Sequence, residues 1–126
     1  MSNTTTFFDE EIGAVIWEIS GVANMHYFKT VSEITHLLRE KHNSIKQINS
    51  IKNMSSLSDE IQVFIKNDFF EMAKKSGLKY FAFVIPECDK GQLSMNIANN
   101  GAAQKWDMEI EYFSNKQEAV AWLNSK

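Results

Sequence analysis

At 126 residues and 44% hydrophobic content, the chain is long enough for one core, because a domain of this size buries about two-thirds of its unfolded surface. A net charge of −3 supplies little field for attracting a phosphate backbone, and no basic cluster exceeds Lys74-Lys75, so nucleic-acid binding is not expected. The longest apolar stretches, Phe81 to Pro86 and Gly13 to Trp17, fall far short of the roughly 20 residues of a membrane-spanning helix, and Met1-Ser-Asn-Thr-Thr-Thr lacks the basic start and apolar region of a secretory signal. With Cys88 as the single cysteine, and hence no internal disulfide, these features predict a cytoplasmic protein without a membrane span.

The first predicted elements are two short strands, Thr4 to Asp9 and Ala14 to Ile19, rich in β-branched and aromatic residues and joined by Asp9-Glu-Glu-Ile-Gly13 as an antiparallel hairpin. After Ser20-Gly21, apolar residues at Val22, Met25, Phe28, Val31, Ile34 and Leu38 follow steps of three or four, which predicts a helix ending near His42 with that stripe on the sheet. Lys46 to Lys52 is read as a strand. Ser58 then offers an N-cap hydroxyl and Asp59 and Glu60 fill a first turn, so a second helix with Ile61, Phe64, Ile65, Phe69, Met72 and Ala73 on its buried stripe runs to Gly77. Gly77 suits the left-handed conformation that ends a helix.

Lys79-Tyr-Phe-Ala-Phe-Val-Ile-Pro86 is an uninterrupted apolar run, the pattern of a strand covered on both faces in a partly parallel sheet. Glu87 to Gly91 reads as a loop and Gln92 to Ala103 as a short helix. Trp106, Met108, Ile110 and Tyr112 alternate with Asp107, Glu109 and Glu111, which predicts a strand near a sheet edge with a row of carboxylates that discourages strand addition. Ser114-Asn-Lys-Gln117 resembles a capping box before a last helix, Lys116 to Leu123, whose Ala119, Trp122 and Leu123 close the core. Strands alternating with helices in this order predict a single α/β domain over residues 1–126 with a partly parallel sheet.

The chain lacks a phosphate-cradling glycine loop, a His-Glu-x-x-His helix, a Cys-x-x-Cys pair and a Gly-x-Ser-x-Gly elbow, so no enzyme activity and no cofactor is predicted. Cys88 reads as a small side chain near a strand end. Glu33, His36 and Glu40 share one helix face; since that face opposes the apolar stripe, solvation is preferred over a metal site. His26 reads as a packing or capping residue. The abundant phenylalanine, methionine and tryptophan raise the alternative of a pocket for an apolar, lipid-like ligand, although their positions on helix stripes and strand faces fit core packing. Phe70 differs: adjacent helical positions point about 100° apart, so next to Phe69 it is expected at the margin of the stripe, lining a groove or a partner surface.

Read in order, Ile51-Lys-Asn-Met54, Ser58-Asp-Glu, Ala73-Lys-Lys-Ser-Gly-Leu-Lys79 leading into Phe81-Ala-Phe-Val-Ile-Pro86, and Glu118-Ala-Val-Ala-Trp-Leu123 resemble the STAS superfamily, in particular its small bacterial SpoIIAA-like group, over about Phe7 to Leu123. The resemblance implies a five-stranded mixed sheet flanked by about four helices, and a non-catalytic regulatory or sensing module that binds a protein partner through the loop and helix start near residues 53–60. In regulated members a serine at the start of the helix after the third strand is phosphorylated by a partner kinase, which makes Ser55, Ser56 and Ser58, beside Asn53, the matching candidates. Here Ser50 stands in place of the usual acidic residue of the third strand, and the Asp-Ser-Ser-Gly phrase is absent. Asp59 and Glu60 would also repel a phosphate on Ser58, so an N-cap role is preferred there. Self-association as a homodimer with twofold symmetry is a further expectation.

Overall fold

In the computed structural model, which describes residues 3–54, 57–85 and 101–126, the chain runs β1 (Asn3–Asp9), β2 (Ala14–Gly21), α1 (Met25–His42), β3 (Lys46–Met54) and α2 (Asp59–Phe64). A π-helical turn (Ile65–Phe69), α3 (Phe70–Lys75), β4 (Tyr80–Val84), α4 (Ala102–Trp106), β5 (Glu109–Phe113) and α5 (Lys116–Asn124) follow. The expected five-stranded mixed sheet forms, with spatial order equal to chain order, β1-β2-β3-β4-β5. β1 and β2 are the antiparallel hairpin, and β2, β3, β4 and β5 are parallel neighbours.

Side chains alternate across β4 as a doubly covered strand requires. Phe81 and Phe83 enter a core under α1, α2 and α3, with Trp17, Phe28, Ile61, Phe64 and Phe69. Ala82 and Val84 enter a second core on the opposite face, closed by Ala119 and Leu123 of α5. Each parallel strand is added on the same side of the last, so crossovers of one hand place α1 and the α2–α3 rod on one face. The other face is left for α5.

α1 begins at Asn24, whose side chain accepts from the backbone N–H groups of His26 and Tyr27. The predicted stripe is only partly the buried one. Phe28 and Val31 are buried, but so are Ser32, Thr35, His36 and Arg39, whereas Val22 precedes the helix and Ile34 is exposed. The face is rotated because polar residues fill its lower half. Two of their hydroxyls are satisfied within the helix, Ser32 donating to the Lys29 carbonyl at 2.8 Å and Thr35 to that of Ser32 at 2.7 Å, so hydropathy alone misidentifies the direction.

The helix from Asp59 departs from simple α geometry at Ile65–Phe69. There the Phe70 N–H bonds to the Ile65 carbonyl, five residues back, and the wider turn changes the phase of everything after it. Phe64 and Phe69, and likewise Ile65 and Phe70, therefore point the same way. Phe70 is 0% exposed, its ring 5.4 Å from Phe69 and 6.0 Å from Phe81. This corrects the expectation that Phe70 lines a groove or partner surface, which assumed an unbroken 100° step. Met72 is displaced outward and exposed. At the end of the rod Gly77 takes φ +98°, with Leu78 N–H bonded to the Ala73 carbonyl at 2.9 Å and Gly77 N–H to that of Lys74 at 3.1 Å, the paired closure expected of a terminal glycine.

The loop at 87–91, Cys88 and most of the helix expected from Gln92 lie outside the described residues. Trp106 ends α4 instead of starting the last strand, because Asp107 takes a left-handed φ of 54° and Met108 N–H returns to the Ala103 carbonyl at 3.1 Å. β5 is an edge strand with Glu109 and Glu111 exposed, as expected. The last helix is capped by Asn115, accepting from Glu118 N–H at 2.9 Å, one residue beyond the predicted Ser114.

Candidate functional site

β2, β3 and β4 are parallel, so their carboxyl ends, at Gly21, Met54 and Val84, share one edge of the sheet. The amino ends of α1 and α2 start from the same edge, capped by Asn24 and Ser58.

A bulge shapes that edge. Glu18 pairs with Ser50, yet Ser20 pairs with Asn53, so β3 carries one more residue than β2 across this interval. The additional residue turns Asn53, in place of Lys52, onto the face of Glu18 and Ser50. The result is a recess of about 360 Å³ lined by Thr4, Thr5, Glu18, Ile19, Ser20, Ser50 and Asn53. Its surface offers hydroxyls, one amide and one carboxylate, groups suited to hydrogen bonding with a peptide or another polar partner.

A second polar assembly lies at the opposite, amino end of the parallel strands. Arg39, 0% exposed, donates from one guanidinium nitrogen to the Gln47 side-chain carbonyl and from another to His36 Nδ1 and, at 2.9 Å, to Ser76 Oγ. Gln47 passes the chain on to Asn49 at 2.8 Å. Burial holds the guanidinium pKa down to about 9 despite the neighbouring Glu40. The same burial, followed by the Arg39 charge, lowers His36 to about 3. With Nδ1 accepting, neutral His36 carries its proton on Nε2, which has no hydrogen-bond partner. The network fixes α1 to β3 and to the end of α3.

Of the sequence-predicted residues, Asn53 lies in the recess. Ser58 accepts from Ile61 N–H at 3.2 Å as the cap of α2. Ser55 and Ser56 lie outside the described residues, and Phe70 belongs to the core. Glu33 and Glu40 are exposed, but His36 is 3% exposed and turned to the sheet. Its expected solvated position is thereby corrected, and among the described residues no group of acidic, histidine or cysteine side chains has metal-site geometry. Between Trp17, Tyr27 and Phe28 an apolar recess measures about 10 Å³, room for about one water. Sequence reasoning missed Glu18, Ser20 and Ser50, which only strand pairing brings together. It also missed Arg39, although Phe28, Ser32, Thr35 and Arg39 follow helical spacing.

No family model and no curated protein sequence matches the chain. Among solved structures, the chain is similar to an uncharacterised protein of the DUF3478 family from Shewanella loihica PV-4, described as having a SpoIIAA-like fold. The two share 16% identity with a TM-score of 0.58, over 97% of this chain and 93% of that one. At that identity the likeness speaks for architecture, and together with the observed strand order it establishes that this chain has a SpoIIAA-like fold.

Proposed function

We propose that the protein is a non-catalytic regulatory or sensing module that recognises a protein partner at the carboxyl edge of its sheet, across Ser20, Asn53 and the start of α2 at Ser58. The observation that carries this reading is the bulge-formed recess, because it gathers hydrogen-bonding groups from three strands near the carboxyl edge, on the sheet face opposite α1 and α2. Glu18 gives the surface a negative charge, which favours a partner segment bearing lysine or arginine. Ser55 and Ser56 adjoin this surface in sequence, and phosphate there would add nearly two negative charges. Towards a basic segment those charges add attraction, so docking of such a partner is expected to tighten on modification.

The test is affinity capture from the native cells with the wild-type chain and with a Glu18→Lys, Asn53→Lys variant, both side chains being exposed. A protein retained by the wild type and lost with the folded variant supports the proposal. Retention of the same proteins by both refutes the assigned surface. Mass spectrometry of the native protein tests the switch, which is excluded by an unmodified 55–58 segment under all growth conditions.

A further inference from the structure

The two edges of the sheet are built differently. β5 carries Glu109 and Glu111 on its exposed side, with Lys126 paired to Glu109 at 3.3 Å, the charged pattern that resists strand addition. β1 carries no charge from Asn3 to Phe8, and among the described residues no strand pairs its outer side. Its one acid, Asp9, is engaged in the turn, accepting from Glu11 N–H at 3.0 Å. The strand is also held firmly from within, Thr6 donating to the Ile16 carbonyl at 2.9 Å and Thr4 accepting from the Trp17 indole at 2.5 Å.

Apolar side chains collect at this same margin. α1 packs against β1, and His42 stacks on Phe8 at 3.9 Å. Lys29 and Glu33 line the groove beside α2 and α3, so the opposite flank of α1, with Tyr27 and Ile34, lies towards β1. Tyr27, Ile34 and Leu37 are 60%, 40% and 64% exposed, and Phe7 on the other sheet face is 42% exposed.

We propose that β1 pairs antiparallel with β1 of a second copy of this chain, joining two sheets across a twofold axis at Thr6. Antiparallel pairing requires opposed residues to present their backbone groups in the same direction, so the twofold axis passes through a residue and not between two. Thr6 is the midpoint that uses all of Asn3–Asp9. In that register Phe7 faces Thr5 and Phe8 faces Thr4, both aromatic to β-branched pairs, while Asp9 faces Asn3. No like charges meet across the strands, and the α1 flanks with Tyr27 and Ile34 approach each other beside the seam. A strand from another protein would be selected by none of this symmetry, which is why the occupant is assigned as a second copy.

Sedimentation equilibrium on the full chain is expected to show a dimer, weakened about tenfold or more by Ile34→Glu at the flank. In a Cys88→Ser background, Thr6→Cys is expected to form a covalent dimer on mild oxidation, since residues directly opposed across strands lie within disulfide reach. Glu111→Cys on the other edge is expected to give none. A monomer at the highest soluble concentration overturns the proposal, including one whose edge is occupied by another protein's segment. So does a dimer that is unaffected by Ile34→Glu, or one that does not cross-link through Thr6.

Discussion

The most consequential single residue is Arg39, because its buried guanidinium, which makes no salt bridge among the described residues, is held by neutral acceptors spread over three elements. A lysine has one ammonium and no fork, so Arg39→Lys is expected to lower stability by about 2 kcal/mol in urea denaturation. His36 makes the same network sensitive to acid. Its folded pKa of about 3 lies below its ordinary 6.5, so between these values the unfolded chain binds a proton that the folded chain does not. The associated stability is present in full above pH 6.5 and is lost as pH falls towards 3. From pH 7 to pH 5 the wild type should lose up to about 2 kcal/mol that a His36→Gln variant retains. Ser58 acts more locally. Ser58→Ala removes the acceptor for Ile61 N–H and should cost about 1 kcal/mol.

At the scale of elements, what could be read from the chain was whatever one period expresses. β4 was legible because both of its faces are apolar, and the capped ends at Ser58 and Gly77 because their residue types have local jobs. The α1 face was misread because its buried lower half is polar and satisfied by partners distant in sequence. The π turn was invisible to a fixed 100° step, and with it the burial of Phe70. Phe70→Ala should therefore cost about 3–5 kcal/mol as a core truncation. Deleting the exposed Lys66 should convert the turn to plain α geometry with Ile65 and Phe70 four residues apart on one face, leaving Phe70 packed on Phe81. Unchanged stability of Phe70→Ala, or a large loss of stability on deleting Lys66, would contradict the role assigned to the turn. The recess was illegible for a related reason: Glu18, Ser20, Ser50 and Asn53 are assembled by a bulge between two strands, and a pairing register is not a property of either strand alone.

For the whole molecule, the order of elements and the family phrases along it point to the observed architecture, because one-directional growth of a parallel sheet leaves few alternatives once the hairpin and the crossover helices are placed. The SpoIIAA-like fold places three strand ends and two helix starts on one edge, and the two cores secure it from both sides. Recognition at that edge is the account's central claim. Hydrogen exchange of the protein with and without its captured partner tests it most directly. The account predicts slowed exchange at Ser20–Asn24 and from Asn53 to Glu60, with little change around Glu40–Ile45 or in β5. Protection concentrated at those latter regions, with the carboxyl edge exchanging as in the free protein, would contradict it.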